Sequence, residues 1–459
     1  MSDKTLTVLS DDEVAEIAVL DGDQQTVARG LGRLEQTLPV GLYKVRVRVG
    51  PTLAEQLVSL DQNRQVVFPP ADIPSPIPLE RTARRNEAHT AAAVEGSRKP
   101  LGDFGVGASV LIFARERPRG DTPPQQNPAT GLSLLTEGGQ LLANIEQHAV
   151  VQAGSDPCAA WRGNVNPGAY RLRLEREDGT AIERAIYASS HTQVQIFLEV
   201  TDFRLTDGTK QRLADMSGSA IAISPEQEFW PQRQRTRLAE LARYALTQNR
   251  RILSEGLLGQ LLDEKFDDPM LGLLGAHLLL RDKPADQGQF IIVTDNLYRL
   301  LGPEHPDVRA LWRRRADGDT RVPLDLTSPP VLRPSWDLAL QGTGSHSDAL
   351  MEGPTAIADR ILPDAPWLIW RVGSSDRPSV VELALKDYLG SRTRAEKDRF
   401  DATRTVFNRV TSAVREFVTR TPAPPPAAPP LDAGEKADLI RTLGVPDKVL
   451  KSMLDKLSR

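Results

Sequence analysis

One segment of this chain is written twice, and that repeat limits the possible fold more than any other feature. The first version reads Leu38-Pro39-Val40-Gly41-Leu42-Tyr43-Lys44-Val45-Arg46-Val47-Arg48-Val49. The second reads Val165-Asn166-Pro167-Gly168-Ala169-Tyr170-Arg171-Leu172-Arg173-Leu174. In each, a glycine turn releases a strand that opens on tyrosine and then alternates apolar residues with Arg or Lys. That period of two predicts a strand with one dry face and one wet face. The duplication predicts two copies of a small β-sandwich, a module that binds more often than it catalyses.

The sequence around the first version supports this reading. Residues 5–9, 14–20, 26–31, 42–49, 54–60 and 65–68 read as short strands. They are separated by the turn signals Asp21-Gly22-Asp23, Gly30, Gly41 and Gly50-Pro51. So many short strands in so few residues predict an antiparallel sandwich. Ala18-Val19-Leu20-Asp21-Gly22-Asp23, followed by Leu38-Pro39-Val40-Gly41-Leu42-Tyr43-Lys44-Val45, resembles the transthyretin-like, or carboxypeptidase-regulatory-like, β-sandwich family. Its motif is a strand ending in Asp-x-x-Gly and a later x-x-Gly-x-Tyr-x-Val strand; here Gly22 follows Asp21 directly. The resemblance covers residues 1–70 and part of 108–200, and it implies a non-catalytic accessory fold.

Composition shifts divide the rest. Residues 71–105 form a Pro-rich connector with a short helix expected over 81–94. The second sandwich is expected over 106–228, interrupted by a polar loop at 117–130. From residue 229 the period changes to that of helices. Leu238, Leu241, Ala242, Ala245 and Leu246 share one face, and Asp268-Pro269 is a helix start. A helical domain is therefore expected over 229–320, with helices at 250–262, 270–280, 289–301 and 306–315. Residues 321–420 read as a mixed, mainly helical segment containing Trp336, Trp367 and Trp370 and ending in a long amphipathic helix over 394–418. Residues 421–432 are almost entirely Pro and Ala, a stiff extended spacer.

Beyond the spacer, residues 433–459 place Leu439, Ile440, Leu443, Val449, Leu450, Met453, Leu454 and Leu457 at helical spacing, with Gly444 and Pro446-Asp447 dividing two helices. A helix pair this small buries too little surface to stand alone. It must dock on its own chain, on another copy of the chain or on a partner. A spacer carrying such a pair is how a tethered docking element would be built. These eight apolar residues are the candidate partner-binding set.

Signals for chemistry are sparse. The chain lacks a G-x-x-x-x-G-K-[ST] loop, an H-E-x-x-H pair and a G-x-S-x-G elbow. Cys158 is the only cysteine, which excludes an internal disulfide and a cysteine-rich zinc site. It could pair with His148 or His191, but reads better as a small core residue. Gly344-Ser345-His346-Ser347-Asp348 puts the three triad residue types side by side, where neighbouring side chains cannot converge, and reads as a loop. His277 lies in a nearly all-apolar helix near Asp263, Glu264, Asp267 and Asp268, a core position with a catalytic alternative. The arginine runs at 233–251 and 313–315 hold only Tyr244 and Trp312 as stacking aromatics, which argues against nucleic acid.

With a net charge of -4 and no long apolar stretch, the sequence points to a cytoplasmic protein with no membrane segment; its Arg, Ala and Pro usage suggests a bacterial source. The expected architecture is multidomain α+β: two antiparallel β-sandwiches, a helical domain and a tethered helix pair. The expected function is a non-enzymatic scaffold or adaptor that binds protein partners through the sandwiches and the helix pair, without cofactor or metal, with self-association open. Two alternatives remain. One is a substrate or regulator of a protease, cut in the linker near Arg420; the other is an enzyme with a site around His277.

Overall fold

The computed structural model describes residues 3–11, 15–50, 52–69, 73–79, 84–117, 127–204, 208–248, 255–281, 286–322, 326–341, 357–362, 366–373, 433–443 and 447–457. The long helix expected at 394–418, the Pro/Ala spacer, the loop at 344–348 and the proposed cut near Arg420 lie outside these residues. The chain is mixed α and β and divides into two compact units. One comprises Met1–Thr90 with Trp230–Val293, the other Ala91–Phe229 with Thr294–Arg459. The helical stretch expected at 229–320 is thus shared between the two units.

The first unit opens with seven strands: β1 (Lys4–Ser10), β2 (Glu16–Leu20), β3 (Thr26–Leu31), β4 (Arg33–Leu38), β5 (Gly41–Val49), β6 (Thr52–Leu60) and β7 (Arg64–Phe68). They form one hydrogen-bonded path, β6-β5-β2-β3-β4-β1-β7, antiparallel except for β1 with β7. Asp21 closes the β2–β3 turn despite its short spacing to glycine, because its Oδ1 accepts the amides of Asp23 (3.0 Å) and Gln25 (2.9 Å). The path narrows between β3 and β4 to the single pair Leu31–Arg33 around Gly32, whose φ of +63° suits glycine. There it folds over, bringing β1 within 8 Å of β6, strands that the path separates by four others. The alternating residues Tyr43, Val45, Val47 and Val49 of β5 enter the enclosed core with Leu6, Val8, Ile17 and Val19. Strand β4 was not expected from sequence: only Leu34 and Leu38 are buried in it, four residues apart, so it has no period of two.

The second unit contains α1 from Ala91 onward (whole helix Arg84–Arg98), then β8 (Gly102–Asp103), β9 (Ala108–Arg115), β10 (Leu132–Thr136), β11 (Leu141–Asn144), α2 (Ile145–His148), β12 (Val150–Gln152), β13 (Cys158–Val165), β14 (Gly168–Glu175), β15 (Ala181–Ala188), β16 (Gln193–Arg204), β17 (Lys210–Ala214) and β18 (Ala220–Ser224). Later in the chain come α3 (Arg233–Gln248), α4 (Glu255–Asp263), α5 (Pro269–Leu279), α6 (Gln287–Leu301), α7 (Pro306–Trp312), α8 (Arg333–Gln341), β19 (Ile369–Val372), α9 (Ala433–Leu443) and α10 (Asp447–Leu457).

The two repeats share one strand plan. The first contains the order β3-β2-β5-β6, and the second β11-β10-β14-β15. The remaining strands also correspond. β1 lies between antiparallel β4 and parallel β7, as β9 lies between antiparallel β13 and parallel β16. Each repeat has a register shift at the same place, Val19/Leu20 and Leu134/Leu135. The β15 strand also comes within 8 Å of β9, as β6 does of β1.

In the first unit α5 packs against α3 and α4 and is buried along its whole length. Asp268 caps it through the Met270 amide at 3.1 Å, with Pro269 at the first turn. A Cβ at Gly275 would meet the terminal methyls of Leu261 and Leu262 at 2.5–2.6 Å, so any larger residue there would make those leucines move.

Candidate interaction site

The repeated tyrosines do the same structural job. The hydroxyl of Tyr43 donates to the Pro39 carbonyl and that of Tyr170 to the Asn166 carbonyl, both at 2.8 Å and both four residues upstream. Each bond fixes the turn that feeds its strand.

With the tyrosines aligned, the hairpin registers place a second shared feature. Arg46 lies opposite Glu55 across β5 and β6, and Arg173 opposite Glu183 across β14 and β15. Glu55 accepts Lys44 at 2.7 Å and Arg46 at 2.8 Å. Glu183 accepts Arg173 at 2.8 Å and Arg171 at 3.4 Å. Sequence reasoning read these basic residues only as a wet strand face. Pairing each hairpin in register would have found the glutamate facing them.

The surroundings of the two glutamates differ. Strand β15 is completed by β19, which runs antiparallel to it with Trp370 opposite Glu183. The Trp370 indole Nε1 donates to Glu183 at 3.0 Å, and the Arg171 guanidinium lies 5.8 Å from the Trp370 ring centre. Glu183 is left 1% exposed. Beside it Arg184 is fully buried, against Trp367 and the Ser219 hydroxyl, and desolvation lowers its guanidinium to about 9. Among the described residues β6 pairs with β5 alone, and the Glu55 side chain keeps 32% of its exposure. Its two cations still hold its carboxyl below the usual range.

The C-terminal helix pair packs onto the same region of the second unit. Leu439, Leu450 and Met453 are buried in a cluster with Ala185, Trp336, Ile357, Ala358, Ile361, Leu368 and Trp370, and Ile440, Val449 and Leu454 pack against it. Six of the eight expected docking residues thus converge on the chain's own surface. Leu443 and Leu457 end their helices, with side chains outside the described set. Burying a tryptophan such as Trp336 or Trp370 removes about 150–250 Å² of surface, worth roughly 4–6 kcal/mol at ~25 cal/mol/Å². Trp336 and Trp370 both fill the core of this cluster.

The other candidate groups lie in the following settings. His277 is buried in α5, and desolvation pulls it down to about 3, so it stays neutral inside the fold. Of the acids near it, Asp268 is a helix cap, while Glu264 and Asp267 hold Arg235 at 3.1 and 2.8 Å. No cluster of three or more His, Cys, Asp or Glu side chains able to hold a metal occurs among the described residues. Cys158 is buried, its thiol pushed up to about 11 by desolvation, 3.7 Å from the Gln152 amide oxygen. His148 instead bonds the Asn144 carbonyl at 2.7 Å, and His191 sits in a tight turn. Within the basic runs, Arg243 pairs with Glu240, and Arg315 lies between Asp295 and Asp317 with its guanidinium 4.0 Å from the Trp312 ring centre. No described helix is long and apolar enough to cross a membrane.

No family model matches the chain, and no curated protein matches it. Among solved structures, a weak similarity is found to SGBP-B of a Bacteroides ovatus mixed-linkage glucan utilization locus, determined in complex with a mixed-linkage heptasaccharide. The identity is 15%, the match covers 49% of this chain and 59% of that one, and the TM-score is 0.10. The chain therefore spans well under two thirds of that neighbour, and an overlap this slight carries no argument about fold or ligand.

Proposed function

We propose that this chain is a non-enzymatic scaffold or adaptor built on two transthyretin-like β-sandwiches, and that its ligands are segments of polypeptide. The observation that carries the reading is the second repeat. Its edge strand is completed by the remote strand β19, and the adjoining apolar surface is covered by the C-terminal helices. Both covering elements are short pieces of chain. They bind through main-chain pairing, one anchoring tryptophan and a stripe of leucines, the means by which sheet edges and helix grooves recognise peptides. The helix pair docks in cis, so a partner that uses it competes with the chain's own surface.

Affinity capture from the native host tests this, using full-length protein beside a form truncated after Ala423 and a full-length Leu450→Ser variant. A set of partners that changes in the same way with truncation and with Leu450→Ser supports the reading. An identical set from all three baits contradicts it.

A further inference from the structure

One repeat has its edge filled, and among the described residues the other has no strand on the same edge. Alignment through the tyrosines puts Glu55 at the position of Glu183, Lys44 and Arg46 at those of Arg171 and Arg173, and Leu53 and Leu57 at those of Ala181 and Ala185. In the second repeat this constellation receives β19, with Trp370 on the glutamate and the Leu368 carbonyl accepting the Ala185 amide at 3.4 Å. In the first repeat the carboxylate and both cations stand ready, and no described strand lies alongside. Where the filled edge has alanines 8% and 3% exposed, the bare edge has leucines 45% and 65% exposed, with Leu42 beside them at 59%. The β6 edge lacks proline, lysine and a bulge, the usual devices that keep an edge strand from pairing.

We infer that the β6 edge of the first repeat is a strand-addition site for an extended, tryptophan-bearing peptide segment of a partner protein. The segment runs antiparallel to β6, places the tryptophan opposite Glu55 so that its indole N–H reaches the carboxylate, and lays the ring against Lys44. Flanking apolar residues cover Leu53 and Leu57. This deepens the interaction-protein reading by naming a second surface and its ligand class. It does not depend on the C-terminal helices.

The probe is a fluorescein-labelled peptide with the sequence of residues 366–373, the segment that contains β19, added to the full-length protein. Expected are saturable binding by anisotropy, new amide protection over residues 52–60, and at least a tenfold loss of affinity when the peptide tryptophan matching Trp370 is replaced by alanine. Glu55→Gln in the protein should weaken binding at least fivefold while leaving its circular dichroism and melting unchanged. Absence of binding would overturn the inference. So would protection over 181–188 in place of 52–60, or binding indifferent to both substitutions. Any of these leaves the capture experiment on the helix pair unaffected, so the two readings fail separately.

Discussion

The two repeats begin from the same strand plan and end in different states of completion. In the first, β5 and β6 form a hairpin whose outer face meets solvent, and the Lys44–Glu55–Arg46 cluster is partly exposed. In the second, the matching Glu183 is sealed beneath Trp370 while Arg171 and Arg173 stay partly exposed, and β9 and β15 are buried along nearly their full length. The contrast teaches that identical local geometry can serve opposite energetic roles. A surface ion pair contributes little, whereas the same pair under a covering strand becomes costly to break, because its carboxylate can no longer turn to water.

The largest expected effect follows from removing the cover. Trp370→Ala should destabilise the second unit by about 3–5 kcal/mol in urea unfolding, as deletion of a buried aromatic does. Within the first repeat, no single substitution on the outer face of β5 or β6 should approach this. The glutamates give the sharper contrast. Glu183→Gln should cost about 2–3 kcal/mol, because two guanidinium groups lose the charge they share. Glu55→Gln should leave the urea midpoint nearly unchanged, and any small effect should shrink with added salt. Equal costs for the two substitutions would break the comparison.

His277 in the first unit and His305 in the second are deeply buried, and burial lowers both to about 3. Each stays neutral when folded and takes up a proton near pH 6.5 when unfolded. Its contribution to stability is therefore whole above pH 6.5 and is lost as pH falls from 6.5 toward 3. Asp307, next to His305, has the opposite sense. Desolvation raises its carboxyl to about 6, so its contribution is lost as pH rises from about 4 through 6. His277→Gln should flatten the acid-side slope of the first unit between pH 6.5 and 5 by about 1.4 kcal/mol per pH unit. His305→Asn should do the same for the second unit, measured from urea midpoints across that range. A symmetric effect is expected at the two tyrosines. Tyr43→Phe and Tyr170→Phe should each cost about 0.5–1.5 kcal/mol, the worth of one hydroxyl-to-carbonyl bond, if the two corners are equivalent.

Much of this organisation could be read from sequence where the burial pattern was regular. The Tyr-led strands, the capped helix at Asp268-Pro269 and the two C-terminal helices all follow local rules of alternation, capping and periodicity. Strand β4 escaped because only one of its faces touches the core, and only at Leu34 and Leu38. Strand β19 escaped for another reason: Ile369–Val372 is too short to show a period, and its partner β15 lies far away in sequence. The candidate site was half visible. The apolar stripe from Leu439 to Met453 announced a docking face, but a stripe does not specify what covers it. That depended on Trp336 and Trp370, which the fold brings together from separate segments. The glutamate clusters needed hairpin register, a tertiary fact that an alternating strand only hints at.

The central claim is that one plan is completed by its own chain in the second repeat and left open in the first. Amide hydrogen exchange on the full-length protein, compared between residues 52–60 and 181–188, tests this most directly. The account expects the amides of 181–184, paired on both sides, to exchange far more slowly than the outward-facing amides of 53–57. Equal protection on the two strands, or faster exchange on β15 than on β6, would contradict it.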